Sequence, residues 1–262
     1  MFRVYTFLGF LLINLSVLAK EVDTIEKDIL IQFYKATEGE NWLNKWNIKD
    51  SVETWFGVTV ENGFVTSIDL PYNNLTGYLP ESLFKLKKLK KLNLLFNRIE
   101  DRIPNNLGEL ETLEFLDLSL NKLVGNIPEN IGRLQNLRVL KMNMNQLTGN
   151  LPASIYQLKS LEVLELNSNF INGNLDGDIV FMKSLEKINL SGNNLSGDIP
   201  SEIGLIRRLT FLDLSSNRFE GSIPSSFVDL KQLKHLNLSN NEFAEFMPDK
   251  ILKLTNLTVL LN

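Results

Sequence analysis

One asparagine recurs every 24 residues along this chain of 262. Asn73, Asn97, Asn121, Asn145, Asn169, Asn193, Asn217 and Asn241 keep that spacing without an insertion or a deletion. Their surroundings recur too, as in the stretch Leu-Thr-Phe-Leu-Asp-Leu-Ser-Ser-Asn-Arg-Phe-Glu-Gly-Ser-Ile-Pro that ends at Pro224. Leucine-like residues stand eight, five and three before each asparagine (Leu113, Leu116 and Leu118 before Asn121), and an apolar residue follows two after it. A fixed period of this length specifies a stack of similar coils rather than a globule. The apolar pair five and three before the asparagine has the alternation of a short strand. Apolar residues ten and thirteen after it, such as Ile131 and Leu134, return the chain through a helical turn. The expected fold is an α/β solenoid of one domain, with a parallel concave β-sheet and short helical or 3-10 convex segments.

The asparagine has a physical reason. Where the chain turns out of the strand, buried backbone groups lose their ladder partners. A side-chain amide offers two donors and an acceptor, so stacked asparagines serve their own turn and the neighbouring coil.

Before the array, residues 1–19 read as an export signal: Arg3, an apolar run from Val4 to Leu18, then Val17-Leu18-Ala19 ahead of the charged Lys20-Glu21, with cleavage expected after Ala19. The apolar run is short of the roughly 20 residues of a membrane span. Residues 20–64 form an N-terminal cap. Ile25, Ile29, Leu30 and Phe33 mark one face of a helix, with Asp23 and Glu26 as a capping-box variant and Gly39 as its stop. All three tryptophans, Trp42, Trp46 and Trp55, lie in this segment. An end coil needs a cover, and we assign them to it over the alternative of a carbohydrate platform. Residues 65–262 hold eight 24-residue repeats and the start of a ninth. The eighth carries Glu245 for Gly and Met247 for Ile, and with no closing motif after it the last coil is expected to be exposed, partner-covered or truncated.

The spelling Leu-x-x-Leu-x-Leu-x-x-Asn-x-Leu-x-Gly-x-Ile-Pro resembles the plant-type leucine-rich repeats of receptor-kinase ectodomains and polygalacturonase-inhibiting proteins. The resemblance implies a right-handed superhelix and spans residues 22 to 262. The segment Glu53-Thr-Trp55-Phe-Gly57-Val58-Thr-Val60 is similar to that family's N-terminal cap, where the plant version carries cysteines at what are here Glu53 and Val60. The chain contains no cysteine, and Phe33-Tyr34-Lys-Ala-Thr-Glu-Gly-Glu-Asn41-Trp42 resembles caps of bacterial and algal arrays. A cysteine-free bacterial or algal secreted relative is therefore implied.

Parallel strands about 4.8 Å apart align equivalent positions of successive repeats in columns, and nine strands make a face roughly 40 Å long. Four before the asparagine the column is polar: Asp69, Asn93, Asp117, Lys141, Glu165, Asn189, Asp213 and Asn237. The columns at six and one before it carry Lys91, Phe115 and Val139, and Tyr72, Phe96, Leu120 and Met144. With Leu95, Asp117, Lys141 and Glu165 these are the expected ligand-binding residues, since an apolar patch with aromatic, Met and basic neighbours has the composition of an interface core. The alternative is a half-buried rim whose side chains pack only against each other.

Other chemistry is poorly supported. A formal charge of −4, or −5 without Arg3, leaves no basic block for nucleic acid. Asp117 and Glu165 are two repeats apart, roughly 10 Å, with Lys141 between them, beyond the inverting-glycosidase range of about 6.5–9.5 Å. His235, the only histidine, has no nucleophile partner. Asp176, Asp178, Asp198 and Glu202 form an acidic convex patch without calcium-loop spacing. Asn74, Asn189, Asn194, Asn237 and Asn256 begin Asn-Leu-Ser/Thr sequons that the repeat itself spells. We therefore expect no enzyme, no cofactor and no metal. The expected role is a secreted, non-catalytic recognition module that takes a protein or peptide on its concave face, with polysaccharide as another ligand class. Alternatives are an inhibitor of a secreted polysaccharide-degrading enzyme, and a structural or adhesive surface protein that self-associates through its last coil.

Overall fold

The computed structural model describes residues 22–244 and 258–260. The leader, Glu245, Met247 and Asn256 lie outside the described residues. Ten strands form the main sheet. From Phe64–Asp69 onward each strand pairs in parallel with its counterpart one repeat later: Lys91 with Phe115, Phe115 with Val139, and so on to Phe211 with His235. This register puts one apolar residue per strand inward, and Leu92, Leu116, Leu140, Ile188, Leu212 and Leu236 are completely buried.

The first strand, Val58–Glu61, runs antiparallel to Phe64–Asp69 and is the one departure from a purely parallel face. Its turn is Asn62-Gly63, both with positive φ (54° and 80°). Asn-Gly is the pair that a tight two-residue hairpin requires, so the sequence carried this signal within the segment taken only as cap.

Two three-stranded lateral sheets were not anticipated. Glu100–Arg102, Lys122–Gly125 and Gln146–Leu147 make one; Asn172–Asn174, Asn194–Asp198 and Arg218–Glu220 make the other. They arise because the segment after each asparagine stays extended, with its apolar residue (Leu147, Ile171, Leu195) buried and its neighbours turned outward. The convex side is built from 3-10 turns such as Glu129–Arg133 and Ser201–Leu205, each entered through a proline in extended conformation.

Amides stitch the coils together. Asn145 Nδ2 donates to the Met142 carbonyl of its own turn (3.1 Å) and the Leu118 carbonyl of the preceding coil (3.0 Å), and its Oδ1 accepts from Leu123 N (3.0 Å). The same three bonds recur at Asn121, Asn169, Asn193 and Asn217. The first member, Asn73, turns instead to the cap and accepts from Asn44 N at 2.7 Å.

The cap starts with the helix Thr24–Ala36, whose Asp23 accepts from Ile25 N. Glu26 does not complete the expected capping box. Its carboxylate reaches across to accept from Val65 N at 2.6 Å, satisfying the start of the sheet instead of the helix. Trp42, Trp46 and Trp55 are 2%, 4% and 3% exposed, so they present no carbohydrate platform. Trp46 packs edge-on to Trp42 (4.9 Å) and stacks on Trp55 (4.8 Å), and its Nε1 donates to the Phe56 carbonyl.

Candidate functional site

The residue just before each ladder asparagine is forced into an unusual backbone. Its N–H still bonds the sheet, as Phe96 N does to the Ser119 carbonyl and Met144 N to that of Asn167 (both 2.9 Å), while the next residue must aim its amide into the core. The turn between these demands is left-handed: φ is 54° at Tyr72, 53° at Phe96, 56° at Leu120, 55° at Met144, and equally positive at Ser168, Gly192, Ser216 and Asn240. Gly and Asn take this conformation readily, whereas bulky side chains do so at a cost of roughly 1–2 kcal/mol. Repeats six and eight obey that preference with Gly192 and Asn240, and repeats five and seven place the small Ser168 and Ser216 there. Repeats one to four place Tyr, Phe, Leu and Met there.

Burial does not repay the strain. Tyr72, Phe96 and Met144 are 56%, 53% and 48% exposed, and Leu120 is half-buried. Tyr72 and Phe96 stack on each other at 4.8 Å. Exposed bulky residues held in a sparsely populated conformation are a signature of sites where function sets the choice.

The opposite edge of the strands carries a second apolar rail. Phe115, Val139 and Val163 are half-buried in one column, with the Lys91 ammonium 5.6 Å from the Phe115 ring. Between the rails runs the polar column, whose charges are largely paired within the face. Lys91 meets Asp69 at 2.6 Å, and Glu165 lies between Lys141 (3.2 Å) and Lys187 (2.5 Å). Burial pushes the Glu165 carboxyl up, but the hydrogen bond from Lys187 and the charge of Lys141 outweigh it and hold the carboxyl below its ordinary range. A depressed folded-state value gives stability that is present above the unfolded value, about 4.3, and is lost as pH falls through the folded one. Glu165→Gln should therefore flatten the acid side of the stability–pH curve below about pH 4, as read by thermal melts from pH 7 to pH 2.5.

The expected ligand set needs one correction. Asp117 is 5% exposed and accepts from Ser119 N at 2.9 Å; it braces the strand end and is not available to a ligand. Tyr72, Lys91, Phe96, Phe115, Leu120, Val139, Lys141, Met144 and Glu165 lie in the two rails and the column between them, and Leu95 directly precedes Phe96 at the strand end.

A feature missed in the sequence lies in the later repeats. Phe211 and His235 stack with nearly parallel rings at 4.3 Å, and the Lys187 ammonium lies 4.8 Å from the Phe211 ring. The signal was available, since all three occupy one column, 24 residues apart. No group of three or more metal-ligating side chains occurs among the described residues, and no described helix is long and apolar enough to cross a membrane.

Comparison with known proteins agrees with this geometry. Leucine rich repeat models match residues 64–86, 112–134, 136–158, 184–205 and 207–261. No curated protein matches the chain. Among solved structures it is similar to the Arabidopsis receptor kinase HAESA in complex with the peptide hormone IDA and the co-receptor SERK1: TM-score 0.82, 28% identity, 91% of this chain and 41% of that one. A plant ice-binding protein matches with TM-score 0.80 and 26% identity, covering 92% of this chain and 79% of that one. A leucine-rich-repeat protein of Leptospira interrogans matches with TM-score 0.55 and 32% identity, covering 72% and 52%. The chain thus spans about two fifths of the length of the receptor.

Proposed function

Because the chain belongs to the leucine-rich repeat family, we propose that it is an extracellular, non-catalytic recognition module. It binds an extended, largely uncharged peptide along the first four repeats of its concave face. The observation that carries this reading is the left-handed rim, where Tyr72, Phe96, Leu120 and Met144 occupy a strained, exposed position that the later repeats give to small or polar residues. The two apolar rails suit peptide side chains, and the polar column between them suits a peptide backbone. Because the column's carboxylates are already paired or buried, a strongly charged ligand would find little to compensate it. The peptide-hormone receptor among the similar structures supports the same ligand class. Polysaccharide on this same face has less to recommend it, since its rails are strips of aliphatic and aromatic side chains that favour peptide.

Selection of a random peptide library against the full chain tests the reading. Enriched peptides should be rich in aromatic and aliphatic residues and lose at least tenfold in affinity to Phe96→Ser and to Phe115→Ser, a loss of about 1.4 kcal/mol or more. Peptides that bind both variants as tightly as the unaltered chain would place the site elsewhere. A second reading, contact with ice, rests on the likeness to a plant ice-binding protein over most of both chains.

A further inference from the structure

The lateral wall of the middle repeats has a different chemistry from the concave face. After each ladder asparagine the outward positions of repeats four to six read Gln146, Thr148 and Asn150, then Phe170, Asn172 and Asn174, then Asn194, Ser196 and Asp198. The first eight of these side chains are uncharged. Charged residues resume on either side, with Lys122 and Arg102 before and Arg218 and Glu220 after. The wall spans the junction of the two lateral sheets, and backbone hydrogen bonds tie its coils together: Phe170 N bonds the Leu147 carbonyl, Asn172 N that of Gly149, and Asn194 N that of Ile171.

Phe170 is 54% exposed on this wall, at a position where every other repeat has a polar or charged residue. An exposed apolar side chain alone is unremarkable in meaning. Its surroundings are what count. Gln146 and Asn194 flank it one strand away on each side, and Asn172 follows it on the same face. The side-chain amides of Gln146, Asn150 and Asn172 have no hydrogen-bond partner among the described residues, although each offers two donors and an acceptor, while Asn194 Oδ1 accepts from Arg218 Nη2 at 3.5 Å and keeps its Nδ2 donors. Glycine in the next coil leaves room for the amides of Asn150 and Asn174. A Cβ on Gly173, whose φ is +79°, would sit 2.7 Å from Asn150 Oδ1, and one on Gly197 3.1 Å from Asn174 Oδ1.

We propose that this wall binds a neutral polysaccharide, with a sugar ring lying on the Phe170 face and its hydroxyls paired to the amides of Gln146, Asn172 and Asn194. An aromatic face covers the C–H side of a pyranose without a charge requirement. An amide matches adjacent hydroxyls because each hydroxyl both donates and accepts. An uncharged strip bounded by mixed charges favours a neutral polymer over a polyanion, whose repeating carboxylates would have no basic row to meet. The site is separate from the concave rim and does not depend on the peptide reading.

Electrophoresis of the full chain through native gels containing hydroxyethylcellulose, laminarin or galactomannan tests this, with alginate as the polyanionic comparison. The expected result is retardation by at least one neutral polymer, abolished in Phe170→Ala and weakened about tenfold in Asn172→Ala, at unchanged melting temperature. Phe170→Ala should leave binding of the selected peptides intact, which separates failure here from failure of the concave site. Free migration in every neutral gel overturns the proposal. So does retardation that survives in Phe170→Ala, or retardation by alginate alone.

Discussion

Trp46→Ala is expected to destabilise the protein by about 3–5 kcal/mol, a large fraction of the 5–15 kcal/mol that domains usually possess. Trp46 is 4% exposed and its ring meets Phe33, Tyr34, Trp42 and Trp55 within 6.2 Å. Removing it opens a cavity in the aromatic cluster and leaves the Phe56 carbonyl without its donor. In a solenoid each coil touches only its neighbours, so the loss should appear as fraying from one end. Urea unfolding with hydrogen exchange reads this directly. Protection should fall first in Val65 to Leu94 and last around Leu164 to Leu190. Uniform loss along the array, or a cost below about 1 kcal/mol, would mean that the cluster is not the cover of the first coil.

Asn145→Ala should cost about 3 kcal/mol, because its side chain satisfies three buried backbone groups and each orphaned group costs about 1–3 kcal/mol, softened by local rearrangement. Asn145→Asp separates hydrogen bonding from packing. Aspartate keeps the acceptor for Leu123 N but sets a carboxylate against the Leu118 and Met142 carbonyls, so burial and repulsion raise its pKa. A raised carboxyl pKa in the folded state means that stability increases as pH falls through that value, when the acid becomes a donor again. The Asp variant should therefore be least stable near neutral pH and regain stability on acidification, a trend opposite to that of Glu165. Melts of Asn145→Ala within about 0.5 kcal/mol of the unaltered chain would remove the ladder from the account of stability.

Much of this architecture was legible because a solenoid writes its core as a period. The spacing of Asn73 to Asn241 made the parallel register and the apolar interior readable. The lateral sheets were harder to see, since two-residue alternation around a single buried Leu147 or Ile171 looks like any turn. The hairpin at Asn62-Gly63 had a readable signal that was folded into the cap. At the candidate site, the apolar character of Tyr72, Phe96, Leu120 and Met144 was visible in the sequence, but its meaning depends on backbone dihedral angles. The hint lay in the other half of the same column, where Gly192 and Asn240 spell a left-handed position. Asp117 was misread because a polar column looks uniform on paper, while exposure is set residue by residue by its neighbours. Asp117 is sealed at 5% and turned to Ser119, whereas Asp69 stays open enough to pair with Lys91.

On the proposed function the rim side chains are kept for binding at the expense of stability, and Met144→Asn separates the two. Met144 has φ 55°, is 48% exposed and takes part in no ring stack. Asparagine relieves about 1 kcal/mol of backbone strain, which should raise the melting temperature by about 2–4 °C for a chain of this size. Affinity for the selected peptides, measured on the same sample, should fall by at least tenfold. A melting temperature that drops while peptide affinity stays unchanged would show that Met144 serves packing alone and has no part in binding.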